Sequence, residues 1–179
     1  YCQHALAIAK KTLGADDPDT ATAAYCWANL YLDEGRPKAA EPLAERVVTT
    51  FENRFPMHDR GTVGALLFLS GIRRELGNYE GAHALVDRAV KLEQSGFGDN
   101  DPMVADTLGF MAELKRLSGQ LDRALELYDR ALRMIANKPD ALVELDAVHG
   151  IAETYYDKRN YIKAAEFFRQ ATKLAEQAH

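Results

Sequence analysis

Cysteine is scarce in this chain, with only Cys2 and Cys26 in 179 residues. That density excludes a small secreted domain framed by disulfides. The expected state is a pair of reduced, partly buried thiols in a cytoplasmic protein. The alternative, a clip between the first two helices, needs close Cα atoms that spacing alone does not establish. A surplus of cations is missing too. The net charge is −5 and the isoelectric point about 5.6, which excludes a general nucleic-acid binder, because neutralising phosphates requires excess Lys and Arg. No apolar run approaches the length of a membrane span and no signal-peptide pattern occurs, so no membrane partner is expected. The chain opens at Tyr1, inside a helical pattern and without Met, and is expected to start within a longer array.

Nor is there a catalytic or metal signature. HExxH, a CxxC pair, a Gly-rich phosphate loop and a nucleophile elbow are all lacking. One constellation tests the point: Asp146, His149 and Glu153 fall on one helix face, and Asp106 and Glu113 could face them from the neighbouring unit. Carboxylates with a histidine can bind a divalent cation, but no second histidine shares that phase. No catalytic residue, metal or cofactor is expected.

What the chain does have is a repeated hairpin. Turn positions Gly35, Gly77, Gly119 and Arg159 lie 42, 42 and 40 residues apart. Seven positions before each turn stand Ala28, Ser70, Ala112 and Ala152; five after stand Ala40, Ala82, Ala124 and Ala164; twelve after stand Val47, Ala89, Ala131 and Ala171. Small side chains are required where two helices cross closely, so three such columns mark a recurring tight helix pair. Larger apolar residues fill the remaining inward phases: Trp27, Leu69, Met111 and Ile151 before the turn, Leu43, Leu85, Leu127 and Phe167 after it. Their spacing is helical, and Trp27 reads as core packing.

Helices are expected near 1–13, 19–34, 37–51, 58–76, 79–95, 102–118, 121–137, 140–158 and 161–177. Loops are expected at 53–58 and at 95–100. Pro42 should distort the third helix locally. Pro56 stands four residues further from its turn than Pro18 and Pro102 do, so the fourth helix should begin about a turn sooner. The units then run 17–52, 57–95, 101–137 and 140–178, preceded by a second helix at 1–14, in one array over 1–179.

These columns resemble the tetratricopeptide repeat, with small residues at the eighth, twentieth and twenty-seventh positions of the unit. The 42-residue period resembles the repeats of kinesin light chain. Ala5-Leu6-Ala7-Ile8, Lys11-Thr12-Leu13-Gly14, Asp17-Pro18-Asp19, Gly35-Arg36 and Ala40-Glu41-Pro42-Leu43 carry the likeness most closely. Departures are Arg159 at a turn glycine, and Pro37 and Leu121 at the usual turn tyrosine. The resemblance implies an all-α, right-handed superhelical solenoid of about nine helices. It also implies a non-catalytic scaffold that binds a peptide or protein in its concave groove, lined by first helices.

Carried over, the groove phases are Thr22, Tyr25, Asn29 and Leu32; Gly64, Leu67, Gly71 and Arg74; Asp106, Gly109, Glu113 and Arg116; Asp146, His149, Glu153 and Tyr156. Tyr25, Asn29, Leu67, Gly71 and Arg74 are expected to form a less acidic end. Asp106, Glu113, Arg116, His149 and Glu153 are expected to form an acidic end that takes a basic segment of the partner. The carboxylate clamp of some relatives is not expected, because Tyr25, Phe68 and Asp106 stand where its other side chains would be and only Asn29 matches. Cys26, Phe68, Phe110 and Gly150 do not supply the asparagines of kinesin light chain, so its cargo specificity does not transfer. The competing reading is self-assembly through exposed apolar array ends, with Phe167, Phe168 and Leu174 in the last helix.

Overall fold

The computed structural model describes residues 2–55, 59–97, 102–137 and 140–177. Among them are nine α-helices and no strand: α1 Cys2–Thr12, α2 Pro18–Asp33, α3 Pro37–Arg54, α4 Arg60–Glu75, α5 Tyr79–Phe97, α6 Pro102–Leu117, α7 Leu121–Ile135, α8 Ala141–Asp157 and α9 Tyr161–Gln177. The chain forms two compact units, Tyr1–Leu92 and Glu93–His179.

Helix starts are set by aspartates. The Asp17 carboxylate accepts the Asp19 N–H at 2.9 Å ahead of Pro18, Asp59 accepts from Thr62 N–H at 3.0 Å, and Asp140 accepts from Leu142 and Val143 N–H. Each satisfies donors that the first turn leaves without intrahelical partners. The cap at Asp59 also corrects one expectation. α4 begins at Arg60, at the same distance before its turn as α2 is before its own, and not a turn sooner. Pro56 itself lies outside the described residues.

The turns share one geometry. Gly35, Gly77 and Gly119 adopt φ of 67°, 75° and 78°, and Arg159 is forced into the same left-handed region at 60°. In each, the N–H after the turn residue reaches back five residues: Arg36 to the Tyr31 carbonyl, Asn78 to Arg73, Gln120 to Lys115 and Asn160 to Tyr155. This is the Schellman closure, which satisfies the last carbonyls of the helix and favours glycine at the left-handed position.

Three further expectations change. α5 runs through Ser95 and Gly96 to Phe97, so helix replaces loop there. Cys26 is disulfide-bonded, which corrects the reading of reduced thiols. α3 continues through Pro42 to Arg54, three residues beyond its expected end.

All three small-residue columns are buried, with Ala28, Ala40, Ala82, Ala112, Ala124, Ala131 and Ala152 fully so. In the first unit the core joins Leu6, Ala24, Ala44, Val47, Leu66, Leu69, Ile72, Leu85 and Ala89, with Trp27 packed against its side. In the second, one cluster gathers Val104, Leu108, Ala131 and Ile135, and another gathers Ala112, Ala124, Tyr128, Ala147 and Ile151. The loop before α2 is pinned to α3, where Arg46 donates to the Ala15 carbonyl at 2.6 Å and Arg54 to that of Asp16 at 3.2 Å. The second unit also buries a carboxylate: Glu93, with no exposed surface, accepts the Thr107 hydroxyl at 3.0 Å.

Candidate binding face

In the first unit, α2, α3 and α4 enclose a cavity of about 240 Å³ lined by Thr22, Tyr25, Val47, Phe51, Gly61, Gly64 and Ala65. Its walls follow from helix phase. Thr22 and Tyr25 share one face of α2, Gly64 faces them from α4, and Val47 and Phe51 rise from α3, one turn apart. Gly64 keeps the space open, since a Cβ there would meet nothing within 4 Å. Gly61 has the opposite role, because a Cβ would lie 2.5 Å from the Phe51 ring. Tyr25 is 42% exposed and packs tilted on Phe68, with ring centroids 4.4 Å apart.

Of the residues expected at the less acidic end, Tyr25 lines this cavity. Asn29, Leu67, Gly71 and Arg74 do not line it. The Asn29 amide donates to the Tyr25 carbonyl one turn back. Arg74 lies beside Arg73 in sequence, yet only Arg73 forms ion pairs among the described residues, reaching Glu41 at 3.2 Å and Glu45 at 2.9 Å. Phe51 and Val47 were missed because they belong to the second helix of the hairpin; the small residues at 61 and 64 were the available signal.

In the second unit α6 packs directly on α8, and one cation organises the contact. Arg116 donates through Nε and Nη2 to both oxygens of Glu113 at 2.9 Å, through Nη1 to Asp157 at 2.7 Å, and pairs through Nη2 with Glu153 at 3.2 Å. Its side chain is 13% exposed. Burial opposes its charge, but the bonds to Glu113 and Asp157 and the charges of Glu113 and Glu153 outweigh that and hold it protonated more firmly than usual. Glu113 also accepts the Tyr128 hydroxyl at 3.3 Å. Burial, then the Glu113 charge, raise the Tyr128 phenol above its ordinary range, with Arg116 opposing. Above Tyr128 stands Gly150, where a Cβ would fall 2.3 Å from the ring.

The expected acidic end is therefore divided. Glu113, Arg116 and Glu153 meet in one network, and His149 approaches Glu153 at 3.9 Å while packing edge-on against Phe168. Asp106 stands outside it. Burial raises its pKa, and the charges of Asp146 and Asp140 raise it further. Among the described residues no group of three or more His, Cys, Asp or Glu is arranged to hold a metal, and no helix is long and apolar enough to cross a membrane.

The sequence profile of the tetratricopeptide repeat matches residues 62–137 and 111–177, together more than half of the chain. No curated protein matches it. Solved structures that resemble it include a Podosopora anserina protein described as a kinesin light chain with nearly identical TPR-like repeats. That match has a TM-score of 0.78 and 19% identity, covering 99% of this chain and 85% of that one. BtubC (BKLC) from P. vanneervenii gives a TM-score of 0.79 at 20% identity, covering 99% and 71%. Aspartyl phosphate phosphatase F from Bacillus subtilis gives 0.74 at 15%, covering 90% and 42%. At these identities the likeness shows the fold, an all-α solenoid of helical-hairpin repeats.

Proposed function

Because the chain belongs to the tetratricopeptide repeat family, a family of protein-interaction scaffolds, we propose that it is a non-catalytic scaffold that captures a partner segment on its first-helix faces. The observation that carries this reading is the open cavity between α2, α3 and α4. Its volume, about 240 Å³, suits one large apolar side chain, and its mouth offers the exposed Tyr25 ring and the Thr22 hydroxyl. Tyrosine gives broad contact at low entropic cost, as binding surfaces favour. On the α6–α8 face, Asp106 and Asp146 offer charge complementary to a basic stretch of the partner, whereas Glu113 and Glu153 are engaged by Arg116.

The test is a peptide-library selection on the wild-type chain, repeated on Gly64→Trp. A Cβ at this position meets nothing within 4 Å, and the indole beyond it would occupy the cavity; circular dichroism checks that the variant keeps its helix content. Peptides with a recurring bulky apolar residue, enriched by the wild type and lost by the variant, support the reading. Equal enrichment by both refutes the cavity as the site.

A second reading, self-association, is favoured by Tyr161 and Ile162 on α9, exposed at 57% and 77%. Light scattering over a concentration series decides it: mass that rises with concentration and is abolished by Ile162→Lys supports assembly.

A further inference from the structure

The two units differ along the edge where their hairpin turns lie. In the second unit two ion pairs cross from the α6–α7 hairpin to the end of α8. Arg116 reaches Asp157 at 2.7 Å, and Lys158 pairs with Asp122. Counted from the turn residues, the same positions in the first unit are Leu32 and Glu75 for the one pair, Lys38 and Leu76 for the other. Leucine stands for one member of each pair. Lys38 and Glu75 are exposed, and among the described residues neither forms an ion pair. Where the second unit is bridged, the first has a groove of about 550 Å³ between the α2–α3 turn and the end of α4. Pro37, Ala39 and Leu76, all half-buried, give it an apolar lining, with Lys38 on the α3 side and Glu75 on the α4 side. Arg36 borders it too, but its guanidinium is engaged, pairing with Glu34 at 2.9 Å and lying 4.5 Å over the Tyr31 ring.

We propose that this groove is a second docking site, for a peptide segment in which one bulky apolar side chain stands between an acid and a base. The apolar side chain covers Pro37, Ala39 and Leu76, the acid pairs with Lys38, and the base pairs with Glu75. The occupant completes from outside the two pairs that the second unit completes from within. Burial of apolar area supplies most of the affinity, since exposed ion pairs contribute little. The opposite charges on the two sides set the direction in which the segment lies. A segment of one charge sign satisfies one side and is repelled by the other, so it is rejected. The groove shares no lining residue with the cavity of the first-helix face.

The test is a selection from a peptide library in which Phe or Leu is flanked on each side by Asp, Glu, Lys, Arg or Gly. It is run on the wild type, on the charge swap Lys38→Glu with Glu75→Lys, and on Lys38→Asp with Leu76→Lys, which copies the Asp122–Lys158 pair. The wild type should enrich one order of acid and base, the charge swap the opposite order, and the copied pair neither. By fluorescence anisotropy, either single reversal should weaken the leading wild-type peptide about three- to tenfold at low salt, with the difference shrinking at high salt. Gly64→Trp should bind that peptide as the wild type does. The same order enriched by the charge swap overturns the proposal, as does a wild type that enriches no mixed-charge order. A copied-pair variant with native helix content that binds like the wild type also overturns it. If that variant loses helix content, the charge swap decides, because Lys38 and Glu75 are exposed. Loss of the peptide in folded Gly64→Trp would move it to the cavity and overturn the groove assignment. Mass that rises with concentration and falls in the copied-pair variant would give the groove to a second copy of the chain, against the proposal.

Discussion

Replacing Gly150 by alanine tests how α7 and α8 are held together. The added methyl would lie 2.3 Å from both Cζ and the hydroxyl oxygen of Tyr128, and 2.7 Å from Cε1. Carbon atoms settle about 3.5–4.0 Å apart, so the ring must leave or the helices must separate. Tyr128 is 3% exposed and sits among Ala112, Ala124, Ala147 and Ile151. Its hydroxyl bonds to Glu113, which is itself held by Arg116. Overpacking of this kind costs about 1–3 kcal/mol, and losing a hydrogen bond to a charged group adds about 1.5 kcal/mol. Against this, alanine is better than glycine in a helix by about 1 kcal/mol. The net expectation is destabilisation by about 1.5–3.5 kcal/mol. Urea unfolding followed by circular dichroism would measure it. Gly64→Ala on α4 is the control, because its methyl meets nothing and should stabilise by about 0.5–1 kcal/mol. Restored stability in the pair Gly150→Ala, Tyr128→Leu would confirm the contact as the cause. A Gly150→Ala variant as stable as the wild type would refute the claim that this contact sets the spacing.

Other expectations follow from the same geometry. Arg159 is held at φ 60° where the other three turns have glycine, so Arg159→Gly should raise stability by about 1 kcal/mol, read as a higher Tm. Thr107→Val removes the hydroxyl that the buried Glu93 carboxylate accepts at 3.0 Å, and should cost about 1–3 kcal/mol in urea unfolding. The Asp106 pKa is raised in the fold from 3.8 by burial and by Asp146 and Asp140. The folded state thus binds more protons than the unfolded state above pH 3.8, and Asp106 lowers stability as pH rises through its folded pKa. Asp106→Asn should therefore be more stable than the wild type at neutral pH, with the advantage fading as pH falls through the folded pKa towards 3.8 and gone below it. An advantage that grows on acidification would contradict the assignment.

The repeat was legible because its requirements are local. A tight crossing admits only small side chains, so the alanines at 28, 40, 112, 124, 152 and 164 announced buried contacts, and they are buried. The turns at 35, 77 and 119 needed a left-handed residue, and glycine stands there. Other features depend on reach and were not legible. Phase placed Glu113, Arg116 and Glu153 on one face, but it did not show that Arg116 bonds Glu113 and pairs with Glu153, two of the carboxylates expected to meet a ligand, and also reaches Asp157, 41 residues on. Phe51 enters the cavity from α3, a helix that repeat phase assigns to the other layer. α5 continues through Gly96 because one glycine weakens a helix without ending it, so composition misplaced that boundary. The start of α4 was misjudged from Pro56, whereas the Asp59 cap sets it.

The most direct measurement is amide chemical-shift mapping of the isotope-labelled chain, titrated with a peptide enriched by the wild type and rejected by Gly64→Trp. The account predicts that the largest shifts fall on Thr22, Tyr25, Gly61, Gly64 and Ala65, around the cavity between α2, α3 and α4. Shifts concentrated instead around Glu41, Glu45 and Arg73, where α3 and α4 are joined by ion pairs, would contradict it.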